Sequence, residues 1–181
     1  MYIIGGKFKR RALLAPKSDK VRPTTSQLRE TLFNICQHSI EGARFLDLFA
    51  GSGAMGLEAL SRGAAHAVFV DNNRLSLSII KKNIETLGVE RQTSIYGCDA
   101  LKGLQKLHTQ NEQFDLIYVD PPYGAGWGRS VLEFLDSHPL LAAGGSLFIE
   151  ESDLQEPPLT RLKRVDERRV GRAFLHHYKA L

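Results

Sequence analysis

From residue 44 onward, short apolar runs alternate with longer stretches in which apolar residues recur every three or four positions. The runs Phe45–Phe49, Ala67–Val70, Thr93–Tyr96, Phe114–Val119 and Ser146–Glu150 have the length and β-branched or aromatic content of buried strands. Helical spacing between them predicts helices near 53–62, 73–87, 100–108 and 129–137. In the second of these, Leu77, Ile80, Ile84 and Leu87 form one stripe, and Gly88 fits a C-terminal cap. Strands that alternate with helices imply a parallel sheet with helices on both faces and right-handed crossovers. Ligands in such sheets bind beyond the carboxyl ends of the strands.

Both ends of the chain depart from that rhythm. Leu162–Arg169 and Ala173–Lys179 read as two strands turning at Val170-Gly171, which closes the sheet with an antiparallel hairpin. At the other end, Tyr2-Ile3-Ile4, then Gly5-Gly6, then Lys7 through Leu14 predict a small β-hairpin, followed by a loop to Pro23. Thr24 with Gln27 has the spacing of a capping box. Leu28, Leu32, Phe33, Ile35 and Cys36 carry a helix from about 25 to 38. The expected organisation is an extension over 1–40 on a main domain over 41–181.

Composition adds bounds. With 43% hydrophobic and 24% charged residues over 181 positions, the chain can build a full core and is not disordered. No apolar run approaches the roughly 20 residues of a membrane span, and the start lacks the order of a signal peptide, so a cytoplasmic location is expected; a monomer is expected as well, though not from composition. Cys36 and Cys98 lack metal spacing, the six histidines form no ligand pattern, and neighbouring His176 and His177 point to opposite strand faces. No metal is expected. Charge matters by position: residues 1–22 carry seven Lys or Arg against one Asp, and residues 161–181 carry seven against two acids, around an acidic middle. Two basic ends suit a polyanion bound across surfaces built from both termini.

The candidate chemistry sits at the strand ends. Asp47-Leu48-Phe49-Ala50-Gly51-Ser52-Gly53-Ala54-Met55-Gly56 contains a GxGxxG spacing, which lets backbone turn tightly and approach a ligand. Asp71 ends the second strand, where a carboxylate can accept ribose hydroxyls or cap the next helix. Both features also occur in nicotinamide-dinucleotide sites. Asp47 discriminates, because a carboxylate beside the glycine turn repels a pyrophosphate and suits a cation such as the methionine end of S-adenosylmethionine. Asp99 follows the third strand and can meet an adenine amino group, cap the next helix, or do both. After the fourth strand comes Asp120-Pro121-Pro122-Tyr123. Two prolines fix φ and remove two donors, leaving a stiff, acceptor-rich loop fit to grip an amino group, with Tyr123 as a flat face for a planar one.

These motifs, in this order and spacing, resemble class I S-adenosylmethionine-dependent amino methyltransferases. Ile3-Ile4-Gly5-Gly6-Lys7-Phe8-Lys9, Arg22-Pro23-Thr24 and Arg29-Glu30-Thr31-Leu32-Phe33-Asn34-Ile35 narrow the resemblance to the bacterial 16S rRNA guanine-N2 methyltransferase family, over nearly the whole chain. The resemblance implies a Rossmann-like α/β methyltransferase sheet and the cofactor S-adenosyl-L-methionine. The substrate it implies is 16S rRNA, in the small ribosomal subunit or an assembly intermediate. It places Arg22, Pro23, Thr24, Asp47, Phe49, Gly51, Ser52, Gly53, Asp71, Asn72, Asp99, Ala100 and Asp120 at the cofactor, and Asp120, Pro121, Pro122 and Tyr123 at the reacting amine. Lys7, Lys9, Arg10, Arg11, Arg168 and Arg169 are the expected RNA contacts. Related readings are DNA adenine-N6 or protein glutamine methylation. A nicotinamide-dependent dehydrogenase and a non-catalytic RNA-binding protein explain fewer of these residues.

Overall fold

A computed structural model describes residues 1–16, 26–122, 126–171 and 173–181. After helix α1 (Ser26–Ile35), strands and helices alternate as β1 (Arg44–Leu48), α2 (Ala54–Ser61), β2 (His66–Asp71), α3 (Arg74–Leu87), β3 (Thr93–Gly97), α4 (Ala100–Thr109), β4 (Phe114–Val119), α5 (Trp127–Ser137) and β5 (Leu141–Glu151). Strands β6 (Leu162–Val170) and β7 (Ala173–Ala180) follow. They form one sheet in the order β3-β2-β1-β4-β5-β7-β6. Strands β1 to β5 pair in parallel, and β7 pairs antiparallel with both β5 and β6. The mostly parallel sheet with its closing hairpin is the predicted α/β class.

Burial on both faces explains the near-continuous apolar strands. On one face Phe45, Phe69, Leu116, Tyr118 and Phe148 pack with residues of α1, α2 and α3. On the other, Leu46, Val68, Ile117, Val119 and Ile149 pack with residues of α4 and α5. Close helix-to-strand contact accounts for the last glycine of the GxGxxG spacing. A Cβ on Gly56 would lie 2.4 Å from the Phe69 ring.

The N-terminal segment differs from the expected hairpin. It reverses direction, but its pairing reduces to one bridge, Tyr2 to Ala12, with bonds such as Ile3 N–H to the Arg11 carbonyl at 3.0 Å. The donors of Ile4 and Gly5 go instead to the carboxylate of Glu58 in α2, at 2.8 and 2.7 Å. Glu58 is fully buried and also pairs with Arg62 at 2.8 Å and Arg29 at 3.7 Å. Ile3 and Leu13 join the core of the main domain, so this segment is part of one packing unit.

Boundaries shift elsewhere. Strand β5 begins at Leu141, five residues before the expected start, and passes through Gly144 at φ 75° with a register irregularity between Phe114 and Leu116. Helix α1 ends at Ile35, about three residues before the expected end, and the proposed Thr24 cap lies outside the described residues. Strand β6 forms the outer edge, with Val165 exposed at an irregularity in its pairing to β7. Cys36 and Cys98 are unbridged, and burial pushes the Cys36 thiol up to about 12. His177 stacks on Phe148 with centroids 4.4 Å apart, while His176 meets the Glu151 carbonyl at 3.0 Å. Among the described residues no helix is long and apolar enough to cross a membrane, and no three His, Cys, Asp or Glu side chains converge as a metal site.

Candidate active site

The first strand delivers the site's central acid. Asp47 is 1% exposed and accepts the Gly56 N–H at 3.0 Å, which ties the end of β1 to the first turn of α2. Burial, reinforced by the nearby Asp120 and Asp71 and opposed by the Gly56 N–H, holds its carboxyl well above the usual carboxylate range. Between Asp47 and α2 the backbone turns through left-handed positions at Phe49 (φ 60°), Gly51 (φ 56°) and Gly53 (φ 77°). Phe49 is strained there, as a side chain in this region costs of order 1 to 3 kcal/mol and is found where a site over-determines the backbone. Its ring meets Trp127 edge-on at 5.7 Å.

Asp71 braces this turn from the second strand. It accepts the Gly51 N–H at 2.8 Å and the Asn73 N–H at 2.7 Å. The cap of α3 is Asn73, whose side chain accepts from Leu75 and Ser76, so Asp71 does not serve as the helix cap. Asn83, on the buried stripe of α3, donates to the Ser52 carbonyl and to the Leu14 carbonyl, both at 3.0 Å, and accepts the Leu14 N–H at 2.8 Å. One amide thus joins the glycine turn to the N-terminal segment.

These elements enclose a cavity of about 370 Å³, within the range of small-molecule sites. Of the expected residues, Asp47, Phe49, Gly51, Ser52, Asp71, Asn72, Asp120, Pro121 and Pro122 line it. Gly53 stands behind as the N-terminal cap of α2. Asp99 caps α4 by accepting the Leu101 N–H at 3.0 Å, and neither it nor Ala100 is part of the cavity lining. Arg22, Pro23, Thr24 and Tyr123 lie outside the described residues. Met1, Pro16, Tyr118, Trp127 and Glu150 were not anticipated and also line the cavity. Glu150 accepts the Tyr118 hydroxyl at 2.6 Å. Its position at the carboxyl end of a predicted strand was the signal available for it.

The lining suits S-adenosylmethionine. Asp47, Asp71 and Asp120 gather three carboxyl groups on one cavity, the chemistry a sulfonium and an ammonium would need, and the Asp71 carboxylate retains acceptor capacity for hydroxyls beyond its two backbone bonds. Met1, Phe49 and Trp127 supply apolar surface.

The six expected RNA residues fall on two surfaces. Arg168 and Arg169 of β6 are level with Leu175 and Phe174 of β7, which pair with Glu150 and Glu151 of β5. They therefore stand at the site end of the sheet, two strand spacings or about 10 Å from Glu150. Arg168 is paired with Asp166 at 2.7 Å. Lys7, Lys9, Arg10 and Arg11 are exposed, and this stretch is anchored at helix ends remote from the glycine turn: Lys7 N–H to the Ser61 carbonyl at 2.7 Å, and the Arg11 guanidinium to the Thr86 carbonyl at 3.0 Å. An eight-residue helix separates Ser61 from the turn, which is about 12 Å.

The strand order and the acid-rimmed glycine turn at its centre define the class, a class I S-adenosylmethionine-dependent methyltransferase. Within it, the chain belongs to the family described as Conserved hypothetical protein 95, whose profile matches residues 1–179. It is 37% identical over 148 residues to ribosomal RNA small subunit methyltransferase D of Escherichia coli K12, covering 82% of this chain and 73% of that one. The protein of the same name from Buchnera aphidicola of Acyrthosiphon pisum is 35% identical over 155 residues, 86% of this chain and 80% of that one. A solved hypothetical protein of Thermus thermophilus matches with a TM-score of 0.84 at 29% identity, covering 100% of this chain and 99% of that one.

Proposed function

We propose that this protein methylates the exocyclic N2 amine of one guanine in 16S rRNA, within the small ribosomal subunit or an assembly intermediate. The observation that carries the reading is the convergence of Asp120, Pro121 and Pro122 with Asp47 and Asp71 on one cavity at the strand ends. The names of the relatives supply the rRNA.

When bound, S-adenosylmethionine supplies a methyl group on a positively charged sulfur. Asp47 neutralises charge at the methionine end, and Asp71 takes the ribose hydroxyls. The guanine amine is a weak nucleophile because its lone pair is delocalised into the ring. Asp120 and the Pro121 carbonyl each accept a hydrogen bond from that amine, which turns the lone pair outward and stabilises positive charge as it develops on nitrogen. Held there, the cofactor would give up its methyl, an N–C bond forming as the S–C bond broke, and water would take the proton of the alkylated amine. Tyr123 stacks on the base once it leaves its RNA surroundings.

Arg168 and Arg169 hold phosphates beside the site, and Lys7, Lys9, Arg10 and Arg11 hold phosphates farther along. A substrate touching both surfaces is an extended RNA, as a ribosomal particle provides. Residues 1–40 act as an extension of the domain over 41–181. The protein works as a cytoplasmic monomer.

Nucleoside mass spectrometry of 16S rRNA tests the reading. Deleting the gene should remove one N2-methylguanine, and Asp120→Ala should fail to restore it while S-adenosylmethionine binding stays within about threefold of wild type. Restoration by Asp120→Ala would refute the assigned role.

A further inference from the structure

Glu150, the penultimate residue of β5, lines the cavity and has no part in the chemistry above. It is 7% exposed, and the Tyr118 hydroxyl donates to it at 2.6 Å. In the β4–β5 ladder Tyr118 pairs with Phe148 and Val119 with Ile149. Continuing that register by one residue sets Asp120 beside Glu150. The two-residue period of a strand then turns Tyr118, Asp120 and Glu150 to one face. Neighbouring strands are about 4.8 Å apart, so two carboxylates stand roughly one strand spacing from each other at the cavity.

Two adjacent acceptors match one nucleobase edge in particular. Guanine presents two neighbouring donors, its N1–H and its N2 amine. Adenine and cytosine each present an amine beside a bare ring nitrogen that is itself an acceptor. An ionised carboxylate can only accept, so it pairs with the guanine edge and repels the other two. We propose that Glu150 is a specificity-determining residue that accepts the guanine N1–H while Asp120 holds the amine. The inference rests on the guanine-methylation reading and extends it to how the base is chosen. The Tyr118 hydroxyl, donating at 2.6 Å, sets the direction of the carboxylate. A buried site built to pair with a specific donor rejects analogues lacking it far more strongly than an apolar pocket can.

The base 2-aminopurine separates this role from a structural one, because it keeps the N2 amine and replaces N1–H with a bare nitrogen. Small-subunit substrates carrying guanine or 2-aminopurine at the methylated position would be compared by kcat/KM for wild type, Glu150→Gln and Tyr118→Phe, with S-adenosylmethionine binding measured by calorimetry. Wild type should favour guanine by about 100-fold or more. Glu150→Gln, whose carboxamide can donate to the bare nitrogen, should narrow that preference at least about tenfold with cofactor affinity within about threefold. Tyr118→Phe should narrow it less, because the carboxylate remains but is no longer held. An unchanged guanine to 2-aminopurine ratio in Glu150→Gln overturns the proposal, whatever the absolute rates. A wild type active on neither base overturns the guanine reading, and this inference with it.

Discussion

The side-chain amide of Asn83 donates to the Ser52 carbonyl while its oxygen accepts the Leu14 N–H, so a residue in the third helix holds the glycine turn and the N-terminal segment in one grip. Asn83→Ala removes three hydrogen bonds and leaves the Ser52 and Leu14 carbonyls without this partner. A buried group stripped of its partner costs about 1 to 3 kcal/mol. We expect a thermal midpoint several degrees lower and S-adenosylmethionine affinity weakened about tenfold, the loss of roughly 1.4 kcal/mol at the turn. Calorimetry on the purified variant checks both, and wild-type affinity in a destabilised variant would show that the grip serves folding alone.

On the proposed reading, Asp47 would make cofactor binding a protonic event. Burial, with Asp120 and Asp71 adding to it, favours the neutral acid before binding. A cation placed beside it favours the ionised form, so binding should release protons, and affinity should rise with pH across the range where Asp47 titrates. Binding heats measured over a pH series in buffers of different ionisation enthalpy should differ where Asp47 titrates, and the difference should vanish in Asp47→Asn. Identical wild-type heats across buffers would dispose of the linkage.

His177 sets a weakness on the acid side. Burial, helped by the nearby Lys179, pushes its ring from 6.5 down to about 4. The folded protein thus resists a proton that the unfolded chain accepts. Stability is complete above about 6.5 and declines as pH falls toward 4. His177→Gln should flatten the thermal midpoint over that window. A slope equal to that of wild type would assign the acid sensitivity to other groups.

The central strands β1, β2 and β4 were legible because each is an apolar run between helical stripes, a pattern that burial on both faces imposes, and the closing hairpin was legible from its turn at Val170-Gly171. The start of β5 was not. Ala142, Ala143, Gly144 and Gly145 have little strand character, and what keeps Gly145 in place is proximity, since a Cβ there would lie 2.9 Å from the carbonyls of Ala142 and Asp115. The N-terminal reversal was visible in Gly5-Gly6, whereas its pairing was not, because the Ile4 and Gly5 N–H groups donate to Glu58, more than fifty positions away. At the site, Asp47, Asp71 and Asp120 could be read from their places at strand ends. Asn83 could not, for it interrupts an apolar stripe where a polar residue carries no motif. The adenine contact expected of Asp99 has only its capping bond on view.

Strand β6 leaves nine residues of backbone on the rim of the sheet, paired on one side only among the described residues. An unguarded rim of that length would template addition of another chain. Here Lys163, Arg164, Asp166, Glu167, Arg168 and Arg169 stud it with charge, Arg164 pairing with Glu167 and Arg168 with Asp166, and its register to β7 shifts at Val165. Charged side chains and a broken register discourage edge-to-edge addition, so the arginines proposed to meet phosphate would also guard this rim while no RNA is at hand.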